Sequence, residues 1–180
     1  KITRNIWSEA IDIFEKNPTI ATFQPKILDL TQPTKFEYAG ASGGYLDTLG
    51  YPFSRGRIFD TVEQDNGQYD DARRIFWASG ACLFMRKSAY LEVGGLDTTF
   101  FAHMEEIDLC WRLQKAGYEV WVFPRLEVFH LGGGTLAYDN PRKTFLNFRN
   151  NLLMLGKEET IGRLWWLIPI RLILDGVAGV

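Results

Sequence analysis

The stretch from Glu105 to Phe123 constrains the fold of this chain more than any other. Apolar residues at Ile107, Leu109, Cys110, Trp111 and Leu113 give a helical period over Glu105 to Ala116. Gly117 supplies the left-handed residue that ends such a helix. Tyr118 to Phe123 then reads as a strand, stopped at Pro124. A helix feeding directly into a strand makes an α/β layered fold. The remaining segments agree. Trp7 to Phe14 has helical spacing and ends at Asn17-Pro18, and Ile20 to Gln24 reads as a strand. Ile75 to Met85 reads as a buried strand whose Gly80 permits close backbone or ligand approach. Ser88 caps a short helix through Val93, closed by Gly94-Gly95. Asn140-Pro141 opens a helix to about Leu155, with cap and proline in favoured positions.

Between Thr31 and Asp71 no period emerges. That stretch is rich in glycine yet carries Phe36, Tyr38, Tyr45, Tyr51, Phe53, Phe59 and Tyr69, which predicts an ordered binding loop rather than disorder. With 180 residues, 46% hydrophobic, the chain holds one sizeable core. A net charge of -2 excludes the basic surface of a nucleic-acid binder, so no nucleic-acid partner is expected. Cys82 and Cys110 read as reduced core thiols. The chain opens at Lys1 without a methionine or leader, the expectation for a piece of a longer or processed protein.

Ile161 to Leu174 is apolar but carries Arg163, Arg171 and Pro169. A spanning helix needs about 20 apolar residues, so two readings stand: a membrane-interfacial helix, or one docked on protein.

Three features carry chemistry. Glu105, Glu106 and Asp108 sit in the first turn of a helix, where its dipole favours carboxylates. Asp108 and Arg112 are four apart and can pair, with Glu105 on the same face. Glu106 points about a quarter-turn away, free to act as a general base; surface acids that merely complement the dipole are the competing reading. His130, at a strand end before Gly132-Gly133-Gly134, suits a metal ligand or phosphate contact, or a structural role. No carboxylate at ligand spacing accompanies it. Trp77 with Gly80, and Asp97 after Gly94-Gly95, suit a sugar platform and a hydroxyl acceptor, though each has a core or turn explanation.

The run WASGACLFMRKSAYLEVGGLDTTFFAHMEEIDLCWRLQKAGYEVWVFP, then His130, then LNFRNNLLML, resembles the C-terminal half of family 2 glycosyltransferases of the GT-A fold, closest to the bacterial rhamnosyltransferase-like group. The resemblance covers about residues 18 to 157. It implies a mixed sheet flanked by helices, the C-terminal half of a Rossmann-like fold. Residues 1–158 would form the acceptor-side part and 159–180 an apolar, membrane-interfacial segment. The family's acidic motif is usually Glu-Asp, its second acid deprotonating the acceptor hydroxyl. The resemblance thus implies Glu106 as base, Glu105 as fallback, and Asp108 and Arg112 in support. Trp77, Gly80 and Asp97 match the acceptor side, and His130 a histidine that completes the metal shell or meets the diphosphate in some relatives.

The family's donor-binding half and its metal-binding DxD aspartates have no counterpart; Asp65 and Asp70-Asp71 lie in the long loop without strand-end context. The implied function is inverting sugar transfer from a nucleotide-sugar to a glycan or glycolipid acceptor, at the cytoplasmic face of a membrane. Mn or Mg would serve the full-length enzyme, and this piece is expected to bind no metal and be inactive alone. A carbohydrate-binding or assembly module without catalysis is the alternative.

Overall fold

A computed structural model describes residues 5–132 and 141–178. Helix α1 (Ile6–Lys16) buries Ile6, Ala10 and Ile13. It leads into β1 (Ile20–Asp29), a central strand buried along almost its whole length. The long middle segment is ordered. It forms a small antiparallel sheet of β2 (Gly44–Leu46), β3 (Pro52–Ser54), β4 (Arg57–Ile58) and β5 (Thr61–Val62) in sequential order. Strands of two or three residues are too short to show a period, which is why the sequence reads as irregular here.

The main sheet is mixed. β6 (Arg73–Arg74), β7 (Phe84–Met85) and β8 (Glu119–His130) join β1 in the order β6-β8-β1-β7. β8 runs parallel to β1, while β6 and β7 are antiparallel to their neighbours. Two expectations are corrected here. Strand β8 does not end at Pro124: Phe123 pairs with Pro25 and Glu127 with Lys26, so the intervening residues bulge. A bulge accommodates prolines that cannot donate to the ladder, and the strand continues to His130. Nor is Ile75 to Met85 one strand. Only Phe84–Met85 pairs with β1, because the chain turns at Ser79–Ala81 after Trp77 bridges to Gly44.

Helix α2 (Lys87–Glu92) starts after Arg86, so Ser88 lies inside it rather than capping it. A 3-10 turn, Thr98–Phe100, precedes α3 (Glu105–Lys115). Helices α4 (Pro141–Glu158) and α5 (Ile161–Ala178) complete the fold, α5 continuing through Pro169. Gly133, Gly134 and the Asn140 cap lie outside the described residues. Ile75, Trp77, Phe100, Met104, Ile107, Val120, Val122 and Met154 pack into a core between sheet, α3 and α4. A second core joins Ile6 and Ile13 of α1 to Phe23, Phe84 and Val128. Cys82 and Cys110 are both unbonded thiols, as expected.

Candidate active site

A cleft of about 810 Å³ opens where the C-terminal end of β8, the N-terminus of α3 and one face of α4 converge. Crevices beyond the carboxyl ends of strands are the common ligand sites of α/β sheets. Glu105 and Glu106 both line it, as do Trp77, Gly80 and His130.

Glu106 is the best-placed acid. Its carboxylate lies against the turn at Gly80, where an added Cβ would come within 3.6 Å of its Oε1. Burial is the largest influence on its ionisation, and the neighbouring Glu105 charge adds to it; together they raise it from 4.5 to about 7. Backbone N–H bonds from Gly80 and from Glu106 itself oppose the rise without cancelling it. The Oε2 atoms of both Glu105 and Glu106 are buried with no hydrogen-bond partner. Glu105 thus faces the cleft with Glu106 instead of joining Asp108 on the supporting face.

The approach to α3 is strained. Phe101, His103 and Met104 all have positive φ (64°, 68° and 73°). For non-glycine residues each costs about 1–3 kcal/mol and persists only where surroundings impose it. Two neighbouring side chains of α4, Arg149 and Asn150, impose it here. Arg149 donates to the Thr99 carbonyl at 2.7 Å. Asn150, fully buried, donates to the carbonyls of Phe100, Ala102 and His103 at 2.9, 2.7 and 2.8 Å. Asn151 donates to Gly50 at 2.9 Å. The residues Arg149-Asn150-Asn151 are legible as a motif in the sequence, but their partners are not.

Five of the eight buried side-chain atoms without a hydrogen-bond partner among the described residues belong to residues lining this cleft: His103, Glu105, Glu106, His130 and Asn151. Buried polar groups are normally satisfied, so such a concentration marks a place for a polar ligand. Oxygens of Glu105, Glu106 and Asn151 can only accept unless a carboxyl is protonated, which suits a ligand rich in hydroxyl donors. Arg57 and Lys143 line the same cleft and bring positive charge to it; Arg57 stacks over the Tyr38 ring at 4.1 Å.

His130 ends β8 beside the cleft, and a carboxylate does accompany it. Glu37, from the long middle segment, brings its Oε2 to 3.5 Å from His130 Nδ1. The expectation of no carboxylate is corrected: the two lie far apart in sequence and meet only through pairing of β8 with β1. Glu37 is itself buried and accepts the Ala39 N–H at 2.7 Å. Among the described residues no group of three or more His, Cys, Asp or Glu is arranged to hold a metal ion. These residues therefore do not by themselves fit the divalent ion the resemblance implies. Asp65 and Asp70 are engaged by the buried Lys26 at 2.8 and 2.5 Å, and Asp71 by Arg55 and Arg73.

Trp77 is corrected from an exposed platform to a buried one, 4% exposed. Its Nε1 donates to the Tyr45 carbonyl at 2.9 Å, and its ring packs so tightly on Gly44 that an added Cβ would come within 2.0 Å. Asp97, Asp108 and Arg112 do not line the cleft. Asp108, fully buried, pairs with Arg112 and Lys157 at 2.8 Å each. Asp97 caps the 3-10 turn through Thr99 and binds Lys157 at 2.7 Å, which holds its carboxyl well below the usual range. Arg112 also donates to the carbonyls of Val93 and Gly95. The three form a brace behind the site.

This geometry agrees with comparisons to known proteins. No family model matches the chain. An N-acetylglucosaminyl-diphospho-decaprenol L-rhamnosyltransferase of Mycobacterium tuberculosis is 31% identical over 134 residues, covering 74% of this chain and 42% of that protein. Rhamnosyltransferase WbbL of Escherichia coli is 35% identical over 56 residues, 31% of this chain and 21% of WbbL. The crystal structure of GalNAc-T7 with UDP, GalNAc and Mn2+ superposes with a TM-score of 0.56 at 13% identity, over 87% of this chain and 29% of that one. The chain belongs to the family 2 glycosyltransferases of the GT-A fold. It spans less than half the length of the curated relatives it matches.

Proposed function

We propose that this chain carries the acceptor side of an inverting glycosyltransferase, with Glu106 as the general base. The observation that carries the reading is a carboxylate raised to about 7 and lining an 810 Å³ cleft with one oxygen unpartnered. A base is most effective when its pKa lies near the working pH. In the reaction, the acceptor hydroxyl gives its proton to Glu106 as its oxygen attacks the anomeric carbon. The bond from that carbon to the leaving nucleoside diphosphate breaks as the new bond forms, and the leaving group keeps the electron pair. A single displacement inverts the anomeric centre. Glu105 keeps the Glu106 carboxylate basic through like-charge repulsion.

The donor is a nucleotide-sugar and the acceptor a hydroxyl of a glycan or glycolipid, a reading supported by the names of the relatives. A glycolipid acceptor would put the work at a membrane face, which we take to be the cytoplasmic one. The chain alone is expected to be inactive. The decisive test is Glu106→Gln in the parent protein: turnover should fall about 10²- to 10⁴-fold, with nucleotide binding by calorimetry nearly unchanged. Full turnover in that variant would move the base to Glu105; sugar transfer by the isolated chain would overturn the expectation of inactivity.

A further inference from the structure

We infer that Asn150 is a positioning residue that sets the aim of the acidic pair by clamping the left-handed segment before α3. Its single amide group reaches three carbonyls, of Phe100, Ala102 and His103, and that segment holds three of the six non-glycine residues with positive φ among the described residues. The last of the three, Met104, is the residue immediately preceding Glu105 and the N-cap of α3. A helix that begins on a strained residue has no side-chain cap of its own to define its start; Met104 makes none. The start of α3, and with it the direction of the Glu105 and Glu106 side chains, is therefore defined from outside the helix, by α4.

The neighbouring contacts act in the same sense. Arg149 holds Thr99 and Lys157 holds Asp97 and Asp108, so one face of α4 grips the chain before, within and after the turn. Asn150 is distinguished from them by position: its acceptors flank the left-handed residues themselves. Loss of its amide would let Phe101 and His103 return to ordinary backbone conformations, unwinding the first turn of α3 and letting water reach Glu106. The structural part of this inference stands without the proposed reaction; only its activity arm rests on Glu106 as the base.

The test is titration of the Glu106 carboxyl by ¹³C NMR in this chain, the resonance assigned through Glu106→Gln. Asn150→Ala should lower the midpoint by about one unit or more toward the ordinary carboxylate range as the group becomes solvated. Ile13→Ala, a cavity in the separate α1 core, should lower the melting temperature and leave the midpoint in place. If Asn150→Ala does not fold, it is remade with Phe101→Gly, which removes one left-handed penalty at an exposed position, and alongside Asn150→Ser, which keeps one donor. In the parent protein, Asn150→Ala should lower kcat about 10- to 100-fold with donor KM little changed. A folded Asn150 variant whose Glu106 midpoint equals wild type overturns the proposal. So does a chain that stays unfolded in all these backgrounds, which would make Asn150 a core residue only. If Glu106→Gln is fully active while the midpoint moves, the base assignment fails and the clamp stands.

Discussion

At the scale of single residues, the site is a case of one carboxylate made basic by its surroundings. Burial raises Glu106 first and the charge of Glu105 second, so its pH behaviour can be worked out with a definite sign. In the unfolded chain it ionises near 4.5, and in the folded protein near 7. Between those values the folded state binds the extra proton, so the contribution of Glu106 to folding stability is fully present below 4.5 and is lost as pH rises, levelling off above 7. The loss is on the order of 3–4 kcal/mol. Urea unfolding of this chain from pH 4.5 to 8 should show that decline, and Glu106→Gln should flatten it. Activity has the opposite slope: a base must be unprotonated, so turnover of the parent protein should rise with an apparent pKa near 7. His103, also facing the cleft, is lowered from its ordinary value by burial and by the charge of Lys143, against the opposing charge of Glu105.

At the scale of elements, α3 is held between two kinds of support. In front, Asn150 of α4 grips the left-handed segment; behind, Asp108 of α3 pairs with Arg112 of the same helix and with Lys157 of α4. Asp108 has no exposed surface, and an unpaired buried charge is costly. Arg112→Met leaves Asp108 with Lys157 alone and strips the Val93 and Gly95 carbonyls of their donor. It should destabilise the fold by about 3 kcal/mol, read from the urea midpoint at constant slope. The small sheet β2–β5 contributes a wall rather than chemistry: Gly44 gives Trp77 its seat, and Gly50 receives Asn151.

At the scale of the molecule, α5 is turned inside out relative to an ordinary surface helix. Its inward residues include Arg171, fully buried, which binds the Leu49 carbonyl and Asp175 and lies over the Tyr51 ring at 3.6 Å. Its outward residues include Trp165, Ile173 and Val177, 79%, 68% and 74% exposed. No described helix is long and apolar enough to cross a membrane. We propose that this outer face lies in a lipid interface, where tryptophan is favoured, bringing the cleft wall at Tyr51 close to a lipid-borne acceptor. Co-sedimentation of the chain with anionic liposomes should be lost in Trp165→Glu with Ile173→Glu, both on the exposed face. Equal binding by that variant would leave the face to a protein partner.

By itself the sequence determined the layered α/β class, the limits of α3 and the start of β8, and the acids at the head of α3. These follow from local rules: helical period, a left-handed glycine stop, and a motif whose order survives in one stretch of chain. Only the tertiary structure decided which acids reach the cleft. Asp97, Asp108 and Arg112 share the motif with Glu106 yet are turned into a brace, because a cation on α4, Lys157, meets the two aspartates from across the core. Glu37 came to His130, and Asn150 to three carbonyls, through pairings that no local pattern encodes. A side chain's neighbours in sequence set its backbone; its neighbours in space set its charge, its strain and its role.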